Sequence, residues 1–183
     1  MAPHPLPGLT RLNAAPPAAA EAALLTCCGS RRWARRIAAH RPYPDLDALL
    51  AAGDEASYDL TAADLTEALA EESATRPPPT RVRRHPPSGA RGRGRLAAHT
   101  ALTAAHTEYQ RKFGYAFLIY LDEVGPDEVL DTLLTGIRTR LGHEKETESA
   151  VVADELRRIA RGRLTRLAAG LVQPPEINRF HPV

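Results

Sequence analysis

Val129-Leu-Asp-Thr-Leu-Leu-Thr-Gly-Ile-Arg-Thr-Arg-Leu-Gly142 sets apolar side chains at positions 129, 130, 133, 134, 137 and 141. That three-and-four spacing gathers them on one face of a helix, whereas a strand would need every second residue apolar. Gly142 closes the helix, and Pro126 marks its start. Downstream, residues 144–171 carry Val151, Leu156, Ile159, Leu164 and Leu167 and read as a last long helix, ended by Pro174 and Pro175. Upstream, Leu96, Leu102, Ala105 and Tyr109 continue the helical spacing up to Gly114. Between these helices, Tyr115-Ala-Phe-Leu-Ile-Tyr-Leu121 is aromatic and β-branched and too short for a helix, so it predicts a buried extended segment.

The N-terminal half repeats the pattern. Strong helix formers run from Pro17 to Cys28 and stop at Gly29. Ser30 can cap a helix over 31–40 with Trp33, Ala34 and Ile37 inside, ended by Pro42 and Pro44. Asp45 can cap a third, with Leu46, Leu49 and Leu50 on its apolar side and Tyr58 and Leu60 as candidates for that side. Thr61-Ala-Ala-Asp64 is a weaker form of the capping box and opens a fourth through Leu65, Leu69 and Ala70. Residues 1–16 are proline-rich and predict a flexible arm, and residues 173–183 a tail. Residues 76–95 hold seven arginines, five prolines, three glycines and no carboxylate, the composition of a loop. The expected architecture is one all-α domain over 17–172: a bundle of about seven helices with one extended segment.

Composition narrows the function. The 183 residues are the size of a single domain, 43% hydrophobic and 25% charged, enough to build a core. No apolar run approaches the roughly 20 residues that span a bilayer, and the N-terminus lacks a basic and then apolar leader, so a cytoplasmic protein with no membrane partner is expected. Apart from 76–95, the chain holds 17 bases against 22 acids, so its basicity is local. That arginine segment admits a polyanion-binding reading, but no aromatic residue interleaves it for base stacking, so a nucleic-acid partner is not expected. Cys27 and Cys28 are adjacent and too few for a structural zinc site; they read as reduced core thiols. Gly-x-Ser-x-Gly, His-Glu-x-x-His, Cys-x-x-Cys and the glycine patterns of nucleotide sites are all missing.

Three segments in order carry a resemblance: Leu24-Leu-Thr-Cys-Cys-Gly-Ser-Arg-Arg-Trp-Ala34 with Arg41-Pro-Tyr43; Tyr109-Gln-Arg-Lys-Phe-Gly-Tyr-Ala-Phe-Leu-Ile119; and Arg138-Thr-Arg-Leu-Gly142, Glu144 to Glu148, and Glu155-Leu-Arg-Arg-Ile-Ala-Arg-Gly-Arg-Leu164. Over about residues 17–170 the chain resembles the 2-oxo-4-hydroxy-4-carboxy-5-ureidoimidazoline (OHCU) decarboxylases of uric acid breakdown. The resemblance implies an all-helical fold, often a homodimer, and a decarboxylation that needs no cofactor or metal and yields (S)-allantoin. The electrons left by carbon dioxide can rest on the substrate's own imidazolone carbonyl. The protein must orient the carboxylate, stabilise the developing anion and deliver a proton to one face.

The family places its catalytic histidine in a His-Pro-x-Ile-Gly motif after a helix ending Glu-Ala-Leu, with a Glu-Gln pair further on. Here Glu67-Ala-Leu69 leads instead to Glu71-Glu72-Ser73, so either Glu72 takes the histidine's place or His85-Pro-Pro-Ser-Gly89 is the motif displaced by an insertion. The Glu-Gln pair has no counterpart. His99 and His106, two turns apart on one helix face, are further proton-handling candidates. By the resemblance Arg140 contacts substrate, and the backbone of Leu118, Ile119, Tyr120 and Leu121 lines it. Read without the resemblance, Glu72 is a solvated helix-end charge, His85 an exposed loop residue, His99 and His106 surface or interhelical histidines, and Arg140 a helix-end charge meeting the dipole. Trp33 and Cys28 read as scaffold. The missing motif also admits a divergent member with another reaction, or a non-catalytic binding protein on the same fold.

Overall fold

The structure, a computed structural model, describes residues 6–75 and 90–171. They form α1 (Pro7–Ala14), α2 (Pro17–Leu25), α3 (Arg31–Ala39), α4 (Leu46–Tyr58), α5 (Ala62–Thr75), α6 (Ala90–Phe113), α7 (Val129–Leu141) and α8 (Lys145–Ala169), with no strand among the described residues. The expected caps are made. Ser30 Oγ accepts from Trp33 N at 3.3 Å and Asp45 Oδ1 from Ala48 N at 2.8 Å. Thr61 and Asp64 cap reciprocally, Asp64 Oδ2 accepting from Thr61 N at 2.9 Å and Thr61 Oγ1 from Asp64 N at 3.3 Å. No helix among the described residues is long and apolar enough to cross a membrane.

Four local expectations are corrected. Residues 7–14, read as part of a loose arm, are helical because Leu9 and Leu12 bury themselves against the bundle. Gly8 lies so close to α8 that a Cβ there would stand 1.8 Å from the Leu167 carbonyl oxygen. Eight residues hold too few turns for their stripe to stand out in the sequence, and the helix exists through its packing on α8. The segment read as a loop to residue 95 is already helical from Ala90. Tyr58 is 74% exposed rather than on the apolar side of α4, while Leu60 does pack on the core. Pro126 sits in a turn three residues before α7 begins.

Two apolar clusters organise the molecule. The larger joins α1 to α5 with the inner face of α8, where Val152, Leu156, Ile159, Ala160, Leu164 and Ala168 are buried. Trp33 lies in it, its indole N–H shared between Gly53 O and Ser57 Oγ, both at 3.0 Å. The smaller joins α6 and α7 through Leu102, Tyr109, Leu133, Leu134 and Ile137. Residues 116–121 run between the two without forming helix or strand, and from 117 on their side chains alternate. Phe117, Ile119 and Leu121 enter the smaller cluster; Leu118 and Tyr120 enter the larger. The period of two that sheets use to separate two faces here lets one unpaired segment serve two cores.

The Arg41-Pro42-Tyr43 corner ties the ends of α1 and α3 together. Arg41 donates to the carbonyls of Ala15 at 2.8 Å and Ala38 at 2.9 Å, and also to that of Leu12. Tyr43 exchanges two hydrogen bonds with the Asn13 amide, and its hydroxyl donates to Ile37 O at 2.8 Å. Carbonyls at the ends of α1 and α3 gain side-chain donors this way, so the corner is a joint of the scaffold.

Candidate active site

The buried residues of α8 include Glu148, Val152, Leu156, Ile159 and Arg163, at steps of four, four, three and four residues. Two of the eight buried residues of this helix are charged. A charge in the dry face of a helix is costly unless paired and hydrogen-bonded, and each of these two is the centre of a separate network.

Arg163 faces α5. Its guanidinium grips Glu72 with both ends of the fork, Nη2 donating to Oε2 at 3.0 Å and Nη1 to Oε1, while Nη1 also donates to the Cys27 carbonyl at 3.1 Å. The side chains are only 8% and 11% exposed, so Glu72 is no solvated helix-end charge. The α2–α3 turn is pressed against the same place. A Cβ on Gly29 would meet Glu71 Cβ at 2.5 Å, so α5 rides directly over the turn and delivers Glu72 to Arg163. Cys28 is buried here too. Burial pushes its thiol up to about 12, nearby Glu72 adding to the rise while a Ser30 backbone bond and Arg163 oppose it. Cys28 therefore stays a neutral thiol, with no nucleophilic character at ordinary pH.

Glu148 faces α6 and α7. Its fully buried carboxylate accepts from Arg140 Nε at 2.8 Å, from Arg140 Nη2, from the Tyr109 hydroxyl, and through its other oxygen bonds His143 Nδ1 at 2.8 Å. Arg140 also donates to the Leu118 carbonyl and lies 4.6 Å over the Phe117 ring. Burial works against the Arg140 charge, but the bonds to Glu148 and the proximity of Tyr109 outweigh it and raise its pKa. Burial, followed by the Glu148 bond, raises the Tyr109 phenol far above its usual range, so Tyr109 remains a donor. Arg140 is 5% exposed, and each of its three nitrogens donates inside the protein. It ties α7, α8 and the 116–121 segment together.

The extended segment passes from one network towards the other. Ala116 N donates to Ser73 Oγ on α5 at 3.3 Å, Leu118 O accepts from Arg140 on α7, and Tyr120 N donates to Glu155 Oε2 on α8 at 2.6 Å. Ser73 follows Glu72 in α5. Tyr120 also leans on Gly162, the neighbour of Arg163, with its ring 3.4 Å from where a Cβ would be. Burial, then the Asp122 and Glu123 charges, raises the Tyr120 phenol, leaving it a hydrogen-bond donor. Ser73, the neighbour of Glu72, and Gly162, the neighbour of Arg163, each meet this segment, so α5 and α8 support both the segment and the Arg163–Glu72 pair.

Of the sequence-derived candidates, Glu72 pairs with Arg163, and the 118–121 segment is held by Arg140 and Glu155. Arg140 supports the segment from behind. His106 packs edge-on against Phe117, ring centroids 5.7 Å apart, and His99 stands half-buried two turns earlier on α6. His85 lies outside the described residues. The sequence reading missed Arg163 and Glu148. The available signal was their position on the apolar stripe of the last helix, where unpaired charges do not survive burial. Among the described residues no group of three or more histidine, cysteine or carboxylate side chains is placed to hold a metal ion.

Comparison with known proteins agrees on the fold. A family profile described as OHCU decarboxylase matches residues 13–165. The crystal structure of an (S)-allantoin synthase superposes with a TM-score of 0.61 at 17% identity, over 87% of this chain and 53% of that one. At that identity the likeness is one of fold, and the chain spans about half the length of that structure. No match was found among curated proteins.

Proposed function

The chain belongs to the OHCU decarboxylase family, and from that premise we propose that it is a cofactor-free carboxy-lyase acting on OHCU, or a closely similar ureide acid, in purine breakdown. The observation that carries the reading is the Arg163–Glu72 pair, a nearly buried cation and carboxylate joining α8, the helix that also holds Tyr120, to α5. Glu72 stands on the helix whose end in the family precedes the catalytic histidine. A guanidinium fork suits a substrate carboxylate or ureido oxygen. Glu72 is the candidate for delivering the proton to one face of the carbanion once carbon dioxide has left. The peptide N–H groups of Leu118, Ile119 and Leu121 and the Tyr120 hydroxyl are the candidate donors to the anion where charge develops. His99 and His106 remain further proton-handling candidates on α6. The reading includes a small-molecule substrate, a cytoplasmic setting and a homodimer, the last as is frequent in the family.

A second reading keeps the fold and changes the chemistry. The fork of Arg163 already holds a protein carboxylate, which favours a less acidic ligand there, and with it another reaction or a non-catalytic binding role. Fresh OHCU made from urate separates the two when its decay is followed by circular dichroism of the product. Fast appearance of one allantoin enantiomer above the slow racemic background supports the decarboxylase. Unchanged decay at high protein concentration removes OHCU as substrate.

A further inference from the structure

One flank of α8 carries Glu155, Gly162 and Arg166, at steps of seven and four residues. All three take hold of the same short stretch of chain. Glu155 Oε2 accepts the Tyr120 amide at 2.6 Å. Gly162 offers a bare helix surface on which the Tyr120 ring and Asp122 lie: a Cβ there would be 2.8 Å from Asp122 Oδ2 and 3.4 Å from Tyr120 Cε2. Arg166 Nη1 donates to Asp122 Oδ2 at 2.7 Å. Backbone, ring and following carboxylate are therefore each fixed to one helix, the helix from which Arg163 reaches Glu72.

This arrangement sets a length. An extended chain that is not part of a sheet has no ladder to fix its register, so residues 118–121 can slide by fractions of an ångström unless side chains hold their peptide groups. Arg140 holds the Leu118 carbonyl from α7. Glu155 is the hold that refers the segment to α8 and so to Arg163. We propose that Glu155 is a positioning residue for the reaction proposed above, with Gly162 as its steric partner: together they fix the height of the Tyr120 peptide and phenol relative to Arg163, and so the alignment of a bound acid between the two. The inference rests on that functional reading. Errors of about 1 Å in such alignment can cost on the order of a hundredfold in rate.

The experiment compares wild type, E155Q and E155A in the OHCU assay, with amide hydrogen exchange of Tyr120 measured by NMR on the same proteins. Glutamine keeps an acceptor oxygen at the same reach, and alanine removes it. The expected result is a fall in kcat/KM of about tenfold to a hundredfold in E155A, at least tenfold faster exchange confined to residues near Tyr120, and recovery in E155Q to within about threefold of wild type on both readouts. G162A should lower kcat/KM without that faster exchange, since it displaces the ring and leaves the Glu155 acceptor in place. Turnover by E155A equal to wild type overturns the proposal and leaves the decarboxylase reading intact. So does a loss that E155Q shares and that accompanies faster exchange throughout α8, because that marks a structural role. A wild-type protein without turnover overturns both.

Discussion

Replacing Glu148 by Gln tests the account of the buried network directly. Glutamine has the shape of glutamate, so no cavity forms. It nevertheless removes the negative charge facing Arg140, which is 5% exposed, and gives one of the two carboxylate positions to an NH2 group. That group then points a donor at either the Arg140 guanidinium and the Tyr109 hydroxyl or at His143, all of which the carboxylate now accepts from or bonds. Breaking a buried ion pair from one side costs about 3–5 kcal/mol, because the remaining charge stays dry and uncompensated. For a chain of this length that corresponds to a fall in Tm of about 6–20 °C. Urea unfolding followed by far-ultraviolet circular dichroism measures the loss. The double variant R140M/E148L removes both charges and should recover more than half of it, since neither partner is stranded. A loss below about 1 kcal/mol in E148Q, with the urea dependence unchanged, would refute the reasoning: Glu148 would then be reached by water, and the network would not be the joint described here.

E72Q should lower kcat on OHCU at least tenfold with little change in KM, whereas R163K, which keeps the charge and loses the fork, should mainly raise KM; steady-state kinetics by circular dichroism distinguishes them. Cys28, held at about 12 against an ordinary 9.0, should carry about a thousandfold less thiolate than a free thiol at pH 8, so iodoacetamide should label it only on unfolding. Because its folded pKa is raised, the folded state loses stability as pH climbs from about 9 towards 12, and Cys28→Ala should reduce that alkaline loss. The bonds from Thr61 hold Asp64 below its ordinary 3.8. Its contribution to stability is therefore complete above about that pH and fades as the solution is acidified through the folded value, and Asp64→Asn should flatten this acid limb of the stability curve. Gly8→Ala would bring a Cβ against the Leu167 carbonyl. It should displace α1 at a cost of about 1–3 kcal/mol, visible as lower Tm and faster proteolysis between α1 and α2.

Helical spacing with caps at Ser30, Asp45 and Thr61 determined the all-α class and the span of most helices, because these signals are local and lie within one turn of each other. The break of helix at 115–121 was legible from a short aromatic and β-branched run after Gly114, and the order of three short motifs pointed to the family. Only the tertiary structure decided the rest. Helix α1 is held by Gly8, Leu9 and Leu12 meeting α8 more than 150 residues away, a contact that leaves no local trace in the sequence. Arg140 donates to Glu148, Tyr109 and Leu118, and Arg163 to Glu72 and Cys27, so both guanidiniums are bound internally. Which carboxylate each one meets depends on what the packing of α5, α7 and α8 brings within about 3 Å. A salt bridge is a matter of distance and burial, and neither is written in the spacing of residues along one chain.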